Sequence, residues 1–159
     1  IINIYPTYKI QTPSKWTGSL AYIINKKGLI SIDLITKDYS STKFRPTRDS
    51  FFRSLNNQMS QNLTNTFEYR IGGEYKIKQW SLRGGYRFEE SPYKNNYVMS
   101  DLTGYSGGIG YNFGESKLDL SYSNDRRDYN QSLISSGMND SARIKQINNN
   151  ITVTYSINF

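Results

Sequence analysis

The feature that most constrains this chain is the alternation of its last segment, residues 147–159. Ile147, Ile151, Val153, Tyr155, Ile157 and Phe159 share one face of an extended strand, with only Asn149 interrupting them. Asn148, Asn150, Thr152, Thr154, Ser156 and Asn158 share the other. A strand in water would bury such an apolar face under a second sheet. In a transmembrane barrel the apolar face meets lipid and the polar face meets the lumen. A final strand ending in an aromatic is also the usual address for outer-membrane assembly, which makes Val153, Tyr155, Ile157 and Phe159 the expected assembly signal.

Bulk hydropathy would mislead here. The mean hydropathy is −0.69, and no apolar run approaches the roughly 18 residues that a spanning helix needs. Barrel strands escape that test because every second residue faces the lumen. Tyr (14) and Phe (7) are abundant, as expected where rings populate two interfaces. The length suits a single unit over 1–159, either a closed eight-stranded barrel or a piece of a larger one. The chain opens in apolar residues with no leader pattern before Ile1, which reads as a mature chain or a fragment cut near a strand.

Cysteine and histidine are both absent. Without Cys there is no disulfide framework and no zinc ribbon, and without His the commonest general base and metal ligand is missing. The formal charge is +7, but the cations are dispersed over expected turns and loops. Dispersed loop charge reads first as solvation and next as attraction to the phosphates of outer-leaflet lipopolysaccharide. Nucleic acid is not expected as a partner.

Period-2 segments recur at about 2–11, 15–25, 29–39, 65–75, 80–89, 103–113, 117–123 and 147–159, eight candidate strands in all. Short links fall at 26–28, 76–79 and 114–116, and long ones at 40–64, 90–102 and about 129–146. The two classes alternate strictly, as short periplasmic turns and longer extracellular loops do on an antiparallel barrel. This arrangement predicts an all-β antiparallel transmembrane barrel with both ends of the segment periplasmic. Within the first long loop, Phe52, Leu55, Met59 and Leu63 recur at helical spacing behind Asp49, a good N-cap. Such a helix packs on the barrel rim or forms an apolar lid at a ligand entrance.

Several stretches in order carry a resemblance. They are Gly72-Gly73-Glu74-Tyr75, then Ser81-Leu82-Arg83-Gly84-Gly85-Tyr86-Arg87-Phe88 running to Ser91-Pro92-Tyr93, then Gly107-Gly108-Ile109-Gly110-Tyr111-Asn112-Phe113, then Lys117-Leu118-Asp119-Leu120-Ser121-Tyr122. Gln11-Thr12-Pro13, Gly18 with Ala21-Tyr22, and Asp38-Tyr39-Ser40 fit upstream. In order and spacing they resemble the C-terminal half of the FadL/TodX outer-membrane family of hydrocarbon and fatty-acid transporters. The resemblance implies a fourteen-stranded barrel whose last eight strands are present here, taking up hydrophobic small molecules. It implies as partners outer-membrane lipid and lipopolysaccharide, the assembly machinery, and other envelope proteins. The richness in Asn, Lys, Ile and Tyr resembles Bacteroidota, where such barrels also serve as subunits of envelope assemblies, the type 9 secretion shuttle barrel among them. A non-transporting subunit and a complete eight-stranded structural barrel are therefore the alternatives.

The expected lumen face of the fourth and fifth strands carries Glu68, Arg70, Glu74, Arg83 and Arg87. These charges either cancel across strands as a structural network or leave Arg70, Arg83 or Arg87 to receive a carboxylate headgroup in a guanidinium fork. Gly108-Ile109-Gly110 lies inside an alternating strand with no helix pattern after it, which is not a phosphate loop. Strand glycine there reads as close backbone approach or lumen space. No spacing singles out a Ser-Lys or paired-carboxylate catalytic site. The expectation is a non-enzyme without cofactor or metal, with Phe52, Leu55 and Met59 joining the three arginines as candidate ligand contacts.

Overall fold

The computed structural model describes residues 7–132 and 140–158. Its strands are β1 (Lys9–Gln11), β2 (Ser14–Ile24), β3 (Gly28–Asp38), β4 (Lys43–Arg45), β5 (Asn65–Ile77), β6 (Trp80–Glu89), β7 (Leu102–Asn112), β8 (Ser116–Ser132) and β9 (Ser141–Ile157). Among the described residues one α-helix, α1, runs Ser50–Asn62, and a 3-10 turn spans Tyr39–Ser41. The class is all-β and antiparallel. Seven strands form one sheet in the order β2-β3-β5-β6-β7-β8-β9, so every neighbour in the sheet is also the next sheet strand in the chain. Among the described residues β2 and β9 do not pair with each other, and each leaves one edge open.

Register explains why the alternation survives across the whole sheet. The row Gly18, Leu34, Tyr69, Phe88 is aligned strand to strand, as is the row Leu82, Ile109, Leu120, Val153. A slip of one residue anywhere would move a strand's apolar set to the opposite face. Aromatic rings gather at two levels of the apolar face. Tyr69 lies 5.2 Å from Phe88 and 6.0 Å from Tyr86, which lies 5.2 Å from Tyr105. Near the short turns, Tyr111 lies 4.8 Å from Trp80 and 4.7 Å from Phe113. From Trp80 to Phe88 is about 27 Å along the strand at roughly 3.4 Å per residue.

The expected first strand is corrected. Only Lys9–Gln11 is strand among the described residues of 2–11, and it pairs with Lys43–Arg45 rather than joining the large sheet. The sheet thus has seven strands here, not eight. Because β1 leads directly into the loop end of β2, Thr7–Gln11 lie at the long-loop end, whereas the expectation placed the chain's start at the turn end; residues 1–6 lie outside the described set. β1, β4 and α1 form a small cap. Asp49 accepts from the backbone N–H of Phe51 and Phe52, which starts the helix as its sequence predicts. The Asn56 side chain accepts from Phe44 N–H at 2.7 Å and donates to the Phe44 carbonyl at 3.0 Å, a backbone-like pairing that fixes α1 to β4. Phe52 packs against Phe44 (5.7 Å) and Tyr8 (6.0 Å).

The last hairpin is also longer than its sequence pattern indicates. Strands expected over 117–123 and 147–159 extend to Ser116–Ser132 and Ser141–Ile157 and pair along their whole length. Arg126, Arg127, Arg143 and Lys145 therefore stand on strands, not in a loop. Polar residues dominate both faces there, with Tyr129 opposite Ile144 an exception, which hides period 2. Asn149, the interruption of the apolar face, accepts from Tyr122 Oη (2.8 Å) and Asn124 Nδ2 (2.7 Å) at the level where the apolar surface ends. The expected assembly residue Phe159 lies outside the described set; Val153, Tyr155 and Ile157 are exposed on the apolar face.

Candidate functional site

Two-residue alternation sends the other half of every strand to a polar face. On it the register sets Glu68 opposite Glu89, Arg70 opposite Arg87, and Glu74 opposite Arg83. Like charges facing each other are unfavourable, and the side chains resolve this by crossing diagonally. Glu68, 1% exposed, receives Arg70 (2.5 Å), Arg87 (3.1 Å) and Lys37 (3.1 Å). Glu89 receives Arg87 (2.6 Å) and Lys37 (3.4 Å), with Arg127 at 4.0 Å. Four cations thus surround two carboxylates in the long-loop half.

The turn half carries a second group. Arg83 joins Glu74 (2.7 Å) to Asp119 (2.6 Å), while Lys117 holds Asp119 (3.0 Å) and Lys76 holds Glu74 (3.5 Å). Arg83 is on β6 and Asp119 on β8, so this bridge passes over β7. It can do so because Gly110, opposite Asp119, has no side chain: a Cβ there would collide with the Asp119 carboxylate. Gly104 yields the same room to Asp125.

Between the two groups lies an open groove of about 490 Å³, lined by Ser31, Gly72, Gly85, Ser106 and Ser123, with Arg70, Arg83 and Arg87 at its walls. The structure therefore brings the three sequence-predicted arginines to one groove. They are not equivalent. Arg83 and Arg87 each hold two carboxylates, whereas Arg70 holds only Glu68 and is 47% exposed. Arg70 retains donors for an incoming anion. Asp33 and Asp125 line the same groove with no ion pair among the described residues.

Phe52, Leu55 and Met59 are not brought to this groove. Phe52 is buried in the cap's aromatic cluster, and Leu55 and Met59 are half-buried on the same helix. Sequence reasoning did not find Glu89 and Arg127 as network members. Glu89 sits at a strand end, and Arg127 falls in a stretch without apparent alternation. Among the described residues no group of three or more His, Cys, Asp or Glu side chains is arranged to hold a metal ion.

The opposite face offers a different chemistry. Among the described apolar side chains only Ile35 and Phe52 are buried, while exposed apolar residues run across all seven strands, from Ile109 (39%) and Leu120 (47%) on inner strands to Trp16 (76%) and Ile151 (74%) on the open edge strands. Soluble monomers rarely expose more than a few hundred Å² of contiguous apolar surface. No helix among the described residues is long and apolar enough to cross a membrane, which says nothing of strands. Comparison with protein-family models, with curated proteins and with solved structures gives no match to this chain.

Proposed function

We propose that this chain forms part of the wall of an outer-membrane β-barrel of FadL/TodX type, which takes up hydrophobic small molecules such as fatty acids or hydrocarbons. The observation that carries the reading is the inversion of the sheet's faces. The apolar face lies open while the charged face is internally paired, the reverse of what water selects. The aromatic levels fit membrane interfaces: about 27 Å along a strand tilted roughly 40° projects to about 21 Å, close to the ~25 Å apolar band of such barrels. Bacterial single-chain barrels have even strand numbers, so the two open edges of a seven-stranded sheet call for further strands.

In this reading the long loops face outward, the short turns face the periplasm, and the chain is not an enzyme. The half-free Arg70 guanidinium receives the carboxylate head of an acid while its chain follows apolar surface elsewhere in the barrel. The test is uptake of a labelled long-chain acid and of the alkane of equal length, by cells carrying the natural protein or Arg70→Gln. The expected result is a fall of about 10-fold for the acid, the scale of one charge-assisted hydrogen bond, with the alkane unchanged. No uptake of either compound by the natural protein would sink the transport reading.

The dense pairing of the interior charge favours a second reading, a non-transporting barrel subunit of a larger envelope complex. Stoichiometric copurification with such a complex, together with absent uptake, selects it.

A further inference from the structure

Past Tyr122 opposite Ile151, the last apolar pair on its face, β8 and β9 continue as a ribbon to Ser132 opposite Ser141. The same face then shows Asn124 opposite Asn149, Arg126 opposite Ile147, Asp128 opposite Lys145 and Asn130 opposite Arg143. Arg126 stands in the register row of Phe88 and Thr103, four residues past Tyr122 along β8. Three cations and one carboxylate share this strip. Asp128 is held by Arg143 at 3.0 Å. Arg126 and Lys145 are exposed and have no hydrogen-bond or ion partner among the described residues.

Acids elsewhere at this end of the sheet include Asp140, exposed beside Ser141, and three that accept backbone N–H groups. Asp38 accepts from Ser40 N–H at 3.1 Å, Glu90 from Phe67 N–H at 2.8 Å, and Asp101 from Ser91 N–H at 2.8 Å. Counted on its own residues, three cations against one carboxylate, the strip is positive, and the Asn124–Asn149 pair separates its cations from the last apolar pair. Arg126 and Lys145 are diagonal cross-strand neighbours, roughly 7–8 Å apart at their backbones. Two long side chains at that spacing can close on one phosphate, the guanidinium in a fork and the ammonium as a point charge.

We infer that Arg126 and Lys145 form a docking strip for phosphate-bearing headgroups of the lipid leaflet at the long-loop end of the sheet. The inference rests on the membrane reading above and adds a lipid-selective site to it. An apolar surface seats the acyl chains, and the cations stand at the level where those chains give way to headgroups.

The test places the full chain in phosphatidylcholine vesicles containing a minor share of a diphosphorylated, acylated glucosamine disaccharide, or of its dephosphorylated form. Glycolipid retained after detergent extraction is measured, and insertion into pure phosphatidylcholine is followed in parallel by heat-modifiable gel mobility. The natural chain should retain the phosphorylated form. The variant Arg126→Gln with Lys145→Gln should retain at least ~10-fold less, since each cation near an anionic surface contributes about five-fold. The variant Lys26→Gln with Lys27→Gln, at the opposite end, should match the natural chain. Equal retention by the natural chain and the Arg126/Lys145 variant overturns the inference. So does equal retention of the dephosphorylated lipid, or full competition by millimolar inorganic phosphate. Failure to insert by the barrel complete with the further strands that reading requires overturns the barrel and the strip together, whereas its normal insertion without phosphate preference overturns the strip alone.

Discussion

Arginine placed at Val153 and at Thr154 separates the two faces by one residue. Val153 is 65% exposed on the apolar face, opposite Leu120. Thr154 lies on the polar face opposite Asp119, whose carboxylate already holds Arg83 and Lys117. In a barrel, Val153→Arg puts a guanidinium into hydrocarbon one pair from the end of the apolar run at Ile151, at a cost of roughly 1–3 kcal/mol, between the midplane and interfacial values. That is a loss of about 5- to 140-fold in the folding equilibrium. Thr154→Arg adds a cation to a wet face beside a carboxylate, an effect within about 1 kcal/mol. Urea titration of each variant in vesicles, read by heat-modifiable mobility, measures the difference. Equal midpoints, or a larger cost at Thr154, would refute the assignment of faces. A protein partner covering the apolar face would also penalise Val153→Arg, but that penalty would persist in detergent and would not follow bilayer thickness.

Further perturbations address the interior and the topology. Glu68→Gln leaves Arg70 without its carboxylate and Arg87 and Lys37 with Glu89 alone, and should destabilise by about 1.5–3 kcal/mol; the more exposed Glu74→Gln should cost about 1 kcal/mol, and equal urea midpoints would contradict the burial argument. Gly110→Ala should push the Asp119 carboxylate away from Arg83 and cost about 1–3 kcal/mol, whereas Gly84→Ala, with open space around its Cβ, should be nearly silent; the same titration compares them. Asn56→Ala removes both hydrogen bonds between α1 and β4, so limited proteolysis should open residues 42–63 faster while the sheet's midpoint stays put. Single cysteines at Asn57 and Asn96 should label on intact cells and those at Lys27, Gln79 and Glu115 should not; the reverse pattern inverts the sidedness.

The large-sheet strands from Ser14 to Asn112 were legible because one physical cause, an apolar face beside a polar one, repeats every two residues between links that alternate short and long. Where that cause lapses, so does legibility. β8 beyond Ser123 and β9 before Ile147 carry polar residues on both faces, and their strand state comes from cross-strand pairing alone. Ile10 opposite Phe44 shows the other kind of miss. Three-residue strands hold too few alternations to register, and pairing between residues so far apart in the chain leaves no local trace.

The polar face follows the same division. That Glu68, Arg70, Glu74, Arg83 and Arg87 share a face needed only parity. That Arg83 reaches Asp119 needed strand order, register, and a glycine on the strand between, none of which parity supplies. Selection among the three arginines needed more still, because Arg70 differs from Arg83 and Arg87 in how many carboxylates surround it and in how far it is exposed. The distinction has a functional consequence. An arginine already held by two acids cannot change partners without unpairing both, buried acids for Arg87 and half-buried ones for Arg83, while one held by a single acid can bind an anion with its remaining donors. If the barrel moves acids, the step therefore runs through Arg70; if Arg70→Gln leaves both uptake and stability untouched, the polar face of these strands is scaffold alone.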